Sequence, residues 1–263
     1  MADRQHAAAK YMATVSSPAG IYDYLLGGVN FSPADRLAAE KALAIVPETR
    51  AAARDNRAFL QRAVRYLAER GVRQFMDIGS GFPAVGSVHE IAQEYFEDPH
   101  VVYVDYDPAV AARSQRLLAS PNTVVTVHDL RRPIEIINDP EVLRLIDWTQ
   151  PVAVLMVAIL HFVTDEESPA DLVAAFSELM APGSYLVLSH VSVGGRPERA
   201  EDAARAWDQS RSPISLRTAS EVRELFAGFE VIPPGLVTTR EWGTAEPGPE
   251  GQAKVLAGVG RRP

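Results

Sequence analysis

Gln74-Phe75-Met76-Asp77-Ile78-Gly79-Ser80-Gly81 is an apolar, strand-like run that breaks into a glycine turn, and helical periodicity resumes from about Val85. Glycines at 79 and 81 let the backbone bend sharply and approach a ligand closely. The spacing Gly79-x-Gly81-x-x-Ala84 also satisfies the looser dinucleotide fingerprint. On its own the turn leaves a nucleotide-type ligand and a ligand-free left-handed turn both open.

Working outward from the turn, short apolar and β-branched runs recur at 101–104, 123–127, 152–160 and 185–189. Helical segments fall between them at 85–96, 109–119, 141–146 and 169–180, two of them announced by Asp139-Pro140 and Ser168-Pro169-Ala170-Asp171. Strands that are apolar on both faces and alternate with helices predict a parallel sheet covered on both sides. Right-handed crossovers then make it doubly wound. Near the C-terminus, Thr218-Ala219-Ser220-Glu221 is a capping box, and strand candidates at 229–232, 237–242 and 253–259 follow with no helix between them. The expectation is an α/β fold with a mostly parallel, seven-stranded, Rossmann-like sheet that closes in an antiparallel C-terminal hairpin.

The first seventy residues read differently. Ser32-Pro33-Ala34-Asp35 opens a helix toward Val46, and 48–70 continues with Ala53, Phe59, Leu60, Ala63, Val64 and Leu67 at helical spacing. Residues 1–70 are therefore expected to form a helical cap on the domain at 71–263, the two making one structural unit.

Composition narrows the class. The 263 residues carry 26 Lys and Arg against 34 Asp and Glu, a net charge of −8, which argues against an electrostatic grip on nucleic acid or an anionic membrane. Cysteine is absent, which excludes disulfides, thiolate zinc sites and thiol nucleophiles. Residues 1–11 have no apolar run of signal-peptide type, and the run at 152–160 is far shorter than the roughly 20 residues a bilayer span needs. A cytoplasmic protein is expected.

Two residues at the turn separate candidate ligands. Asp77 precedes the first glycine by two positions, where its carboxylate would repel a dinucleotide pyrophosphate but suit a phosphate-free cation. Pro83 removes one backbone N–H from the helix entrance, where phosphate binding draws on free donors. S-adenosylmethionine (SAM), with an ammonium and a sulfonium, fits better than NAD. The next strand ends in Asp105, close to the roughly 20-residue spacing expected for a ribose-hydroxyl acceptor. Tyr106 could pack on adenine, and Asp107-Pro108 reads as a helix cap. The third strand ends in His128-Asp129-Leu130, where Asp129 can accept from the adenine amino group and a neighbouring N–H can meet a ring nitrogen. Three acids at three successive strand ends form a moderately specific constellation.

The segment Ile21-Tyr22-Asp23-Tyr24-Leu25-Leu26-Gly27-Gly28, together with 31–35, Asp77–Gly81, 104–108 and Leu160-His161-Phe162, resembles the bacterial S-adenosyl methyltransferase family of DUF574 type. The resemblance runs from about Ser16 to the C-terminus. It implies a class I methyltransferase fold and SAM contacts at Asp77, Gly79, Ser80, Gly81, Asp105 and Asp129, and it supplies no acceptor. Val29-Asn30 departs from the more polar pair expected there.

From the residues themselves, 22–30 reads as a short amphipathic helix broken by Gly27-Gly28. It has two readings: a lid that brings Tyr22, Asp23 or Tyr24 to the ligand, or a packed cap away from it. Ala158 and the two residues after it should floor the pocket beside the methionine part of SAM. His161, at the end of the fourth strand, is the best-placed candidate general base, with a packing role as its alternative; His190 is similarly placed and weaker. Asp165 and Glu166 read as capping or solvent-facing, Trp207 and Trp242 as packing with the lining of a substrate pocket as their alternative, and 193–212 as a helical insertion near the site with a solvated face. The leading function is SAM-dependent methyl transfer to a small-molecule acceptor. A non-catalytic SAM-binding regulator and, behind it, an NAD-dependent oxidoreductase are the competing readings.

Overall fold

The computed structural model describes residues 15–117, 120–192, 214–244 and 254–263. Strands β1 (Gln74–Ile78), β2 (His100–Asp105), β3 (Thr123–Val127), β4 (Val152–Val157) and β5 (Tyr185–Ser192) pair in parallel in the order β3-β2-β1-β4-β5. The chain winds away from β1 to β3 and then returns to its other side at β4. This reversal opens a crevice beyond the carboxyl ends of the strands, where open α/β sheets bind ligands.

Beyond β5 the sheet turns antiparallel. β8 (Lys254–Arg261) pairs with β5 along eight residues, and the short strands β6 (Glu230–Val231) and β7 (Val237–Thr238) both pair with β8. The sheet thus has eight strands where seven were expected. β6 and β7 lie along one edge of β8, interrupted at Pro233-Pro234, because proline has no N–H to give to a ladder. The strand expected at 237–242 stops at Thr238, and Trp242 turns into the core against Phe59 and Tyr66.

Both sheet faces are covered. On one, α3 (Thr49–Ala68) and α4 (Val88–Gln93) pack Phe59, Val64, Leu67 and Ile91 against Phe75, Val101, Leu155 and Val187. On the other, α6 (Pro133–Ile137), α7 (Pro140–Leu145), α8 (Pro169–Ser177) and α9 (Ala219–Glu224) cover Met76, Val102, Val154, Met156 and Leu186. Each large aliphatic or aromatic side chain buried this way stabilises the fold by about 1.5–3 kcal/mol. α5 (Pro108–Leu117) follows β2. α4 begins at Val88, three residues later than the periodicity suggests, because Ser87 and Glu90 form a capping box. The stretch at 193–212, including Trp207, lies outside the described residues.

At the N-terminus, α1 (Pro18–Leu26) and α2 (Pro33–Ile45) share a small cluster of Ile21, Leu25, Ala39 and Ala53. Ala53 belongs to α3, so α3 joins this pair to the sheet. Among the described residues no helix is long and apolar enough to cross a membrane.

Candidate active site

Side chains alternate along a strand, so Asp77 shares a face with Phe75, and Asp105 with Tyr103. That is the face α3 covers, and it places both acids under the N-terminal helices. The backbone after β1 is left-handed at Gly79 (φ 75°) and Gly81 (φ 64°), and a Cβ on Gly79 would collide with the Ile159 side chain. The amides of Gly79 and Ser80 continue the pairing to Val104 O at 2.8 and 3.2 Å. Asp105 then locks the turn. Its Oδ2 accepts from Gly81 N and its Oδ1 from Asp107 N, each at 2.9 Å, while Asp107 caps α5 through Ala109 N at 2.9 Å.

These residues border a cavity of about 210 Å³ at the strand ends. Asp77, Gly79, Ser80, Gly81, Asp105, Tyr106, His128, Asp129, Leu130, Ala158, His161 and Tyr22 all line it, so the glycine turn, the three acids and the expected floor converge on one space. Asp77 is buried, and its carboxylate accepts no hydrogen bond from the described residues. Burial pushes its pKa up to about 7, against the pull of Arg57 and with a further push from Asp105. Burial likewise raises Asp105 to about 6, opposed by the amides it accepts from. The Ser80 hydroxyl and Tyr106 Oη are also buried without partners. A buried carboxylate and two unpaired hydroxyls beside a glycine turn suit a polar, cationic ligand and would otherwise be costly.

At the third strand end the side chains divide their work. His128 Nε2 lies 2.7 Å from Asp139 Oδ2, so that ring is tied to the cap of α7 while the residue still borders the cavity. Asp129 Oδ1 accepts from Arg131 N and Nε, each at 2.9 Å, and Arg131 reaches on to Glu167.

The N-terminal motif contributes Tyr22 and a clamp. Tyr22 Oη donates to Ala53 O at 3.0 Å and accepts from Asn56 Nδ2 at 2.9 Å. Asn56 Oδ1 accepts from Ser189 Oγ at 2.6 Å, and Ser189 Oγ accepts from Ala158 N at 2.9 Å. A continuous chain of hydrogen bonds thereby links α1, α3, β5 and the pocket floor. It holds Ala158 at φ 57°, a left-handed conformation costing a non-glycine residue about 1–2 kcal/mol. Asp23 and Tyr24 do not border the cavity. Asp23 accepts from Asn30 N at 2.7 Å and from Asn30 Nδ2 at 3.2 Å, and it fills the space a Cβ on Gly28 would need. Asn30, the departure noted in the motif, is thus the residue that closes the loop. Tyr24 stacks edge-on against Phe31 and donates to Glu40.

The sequence reading missed Asn56, Arg57, Ser189 and Arg217. Asn56 had a visible signal, a polar residue inside the apolar stripe of Ala53, Leu60 and Ala63. Arg57 donates to Ala84 O and Gly86 O, at 3.2 Å each, and so steadies the glycine loop. Buried Arg217 donates to Leu160 O, Val163 O and Asp165 Oδ1, pinning the turn that carries His161. It also donates to His190 Nε2, while His190 Nδ1 donates to Val191 O at 2.6 Å. His190 is consequently locked neutral, with burial pushing it down to about 4, and it does not border the cavity.

Known proteins place this arrangement. A Thermobifida fusca YX protein assigned as a methyltransferase is 37% identical, with a TM-score of 0.90 over 95% of this chain and 96% of its own. A DUF574 family protein from Streptomyces avermitilis MA-4680 is also 37% identical, with a TM-score of 0.91 over 95% and 98%. The N-methyltransferase NodS from Bradyrhizobium japonicum WM9, solved with S-adenosyl-L-homocysteine (SAH), shares the fold at 14% identity, with a TM-score of 0.51 over 79% and 86%. No curated protein matched the chain. The fold is one shared with methyltransferases solved with SAM or SAH. The chain belongs to the S-adenosyl methyltransferase family, whose sequence profile matches residues 4–263.

Proposed function

We propose that the chain transfers the SAM methyl group to a small-molecule acceptor inside this cavity, within the cytoplasm. The observation that carries the assignment is Asp77, a buried carboxylate bordering the cavity with no hydrogen-bond partner among the described residues. When bound, SAM supplies an electrophilic methyl on a cationic sulfonium. Asp77 would meet the positive charge of the cofactor with a carboxylate that no donor among the described residues engages. Asp105 already accepts two amide bonds, but each carboxylate oxygen has a second lone pair for a ribose hydroxyl. Tyr106 and Leu130 would enclose the adenine, with His128 beside them, and the second oxygen of Asp129 would accept from its amino group. Gly79, Ser80 and Gly81 bring backbone close to the ligand, Ala158 forms the floor, and Tyr22 closes the cavity from α1. Holding acceptor and methyl in line can contribute roughly 7–11 kcal/mol to lowering the barrier.

Isothermal titration calorimetry tests the assignment. SAM and SAH should bind the wild type, and Asp77→Asn should weaken SAM at least about tenfold, or about 1.4 kcal/mol. Equal affinity in the variant, or binding of NAD in place of SAM, would overturn it.

A further inference from the structure

Resting on that reading of the cavity, we infer that Arg57 holds the α-carboxylate of the cofactor's amino-acid end, so that the site selects a zwitterionic tail and not adenosine alone. Two oppositely charged side chains lie beside the glycine turn without meeting. Asp77 and Arg57 both border the cavity and attract each other electrostatically, yet no ion pair joins them among the described residues. Asp77 accepts from no described donor, and Arg57 is paired with no described carboxylate. Charges left apart in a partly buried site are costly until each finds a partner.

Arg57 is anchored but keeps its charge. Its Nη2 donates to Ala84 O and Gly86 O at 3.2 Å each, and neither acceptor is ionised. Nε is buried without a partner. Nη1 donates to no described residue and, unlike Nε, is not sealed off, which leaves it to reach a ligand. Because Nη2 is fixed to the loop, the plane of the guanidinium is set before a ligand arrives, and less freedom is lost on binding. A planar guanidinium also matches a carboxylate in shape as well as charge. Arg131, the other arginine of the lining, is already matched by Asp129 and Glu167.

The glycine turn cannot take the carboxylate in its place. Gly79 N and Ser80 N both donate to Val104 O, and Gly81 N donates to Asp105 Oδ2. Pro83 has no N–H to offer. In a turn that binds an anion through its backbone these amides would face the ligand. Here they are committed to the protein, so anion recognition falls to a side chain. The ammonium and carboxylate of an α-amino acid sit on one carbon. A ligand that brings its ammonium to Asp77 therefore brings its carboxylate alongside, and Arg57 supplies the charge that meets it.

Calorimetric titration with matched ligands tests this. They are SAH, its decarboxylated form 5′-deoxy-5′-(3-aminopropylthio)adenosine, its deaminated form 5′-deoxy-5′-(3-carboxypropylthio)adenosine, and 5′-methylthioadenosine, which lacks the whole amino-acid end. The wild type should bind SAH about 10–100-fold more tightly than the decarboxylated form. Arg57→Gln should lose a similar factor on SAH and on the deaminated form, and little on the two ligands without a carboxylate. Their retained binding also shows that the variant is folded. Arg57→Lys, which keeps the charge but not the fork, should recover part of the loss. Asp77→Asn should show the opposite pattern, weakening the ligands that carry the amine. If Arg57→Gln weakens all the ligands alike, Arg57 serves only to steady Ala84 and Gly86, and the inference is wrong. Equal binding of SAH and its decarboxylated form by the wild type would overturn it without any variant. A wild type that binds neither SAH nor 5′-methylthioadenosine would overturn the cofactor reading as well.

Discussion

Asp77 concentrates the electrostatics of the cavity in one carboxyl group. Burial raises its pKa from the ordinary aspartate value of 3.8 to about 7, and the attraction of Arg57 does not compensate. Between about pH 4 and 7 the folded chain therefore holds a proton that the unfolded chain has lost. Its contribution to stability is present below pH 4 and disappears as pH rises through 7. A cationic ligand reverses the preference by stabilising the ionised form. SAM affinity should rise from about pH 5 to 7.5 and then level off, with proton release near pH 6, seen as a dependence of the calorimetric heat on buffer ionisation enthalpy. Asp105, raised to about 6, contributes to the lower part of that window. In Asp77→Asn the upper part of the rise should vanish. An unchanged profile would mean that the ligand does not sense this carboxylate.

At the scale of elements, the Tyr-Asp-Tyr-Leu-Leu-Gly-Gly segment sends Tyr22 and Leu25 to the cavity, while Asp23 and Tyr24 hold the loop around them. Asp35 is the other fixing point. It accepts from Ser17 N at 2.6 Å and Ser32 N at 2.7 Å, so one carboxylate ties the start of α1 to the cap of α2. Asp35→Ala leaves both amides unpaired and should cost about 1–3 kcal/mol or more. Because α1 carries Tyr22, the variant should also weaken SAM and expose residues 18–32 to limited proteolysis well below the global unfolding temperature. Protection equal to the wild type would show that α1 docks without this carboxylate. Helix starts were largely readable along the chain, since Ser32, Asp139 and Thr218 each cap with their own side chains. Strand ends were less so. The apolar run at 152–160 carries no mark that β4 stops at Val157, because the stop comes from the left-handed Ala158 held by Ser189, a residue of the neighbouring strand β5 that is far away in sequence.

Over the whole molecule, α3 is the keystone: its apolar face covers the sheet, and Asn56 and Arg57 on it reach the site. Phe59, fully buried against Trp242, should cost about 3–5 kcal/mol when cut to alanine. SAH at about 100 times its dissociation constant should restore about 2.7 kcal/mol of that, less than the loss, so the melting temperature should recover only in part. Full recovery, or none, would place Phe59 or the ligand differently. The alternation of apolar strands with capped helices, the glycine turn and the acids at three strand ends were legible in the sequence by itself, because they rest on local periodicity and chemistry. They sufficed for the doubly wound fold and for the class of cofactor. Only the tertiary structure decided that Asp77 stays without a partner, that Asp23 is a clamp and Tyr22 a wall, and that His190 is locked while His161 borders the cavity. Those properties depend on which distant side chains satisfy which polar atoms, and no spacing along the chain records that.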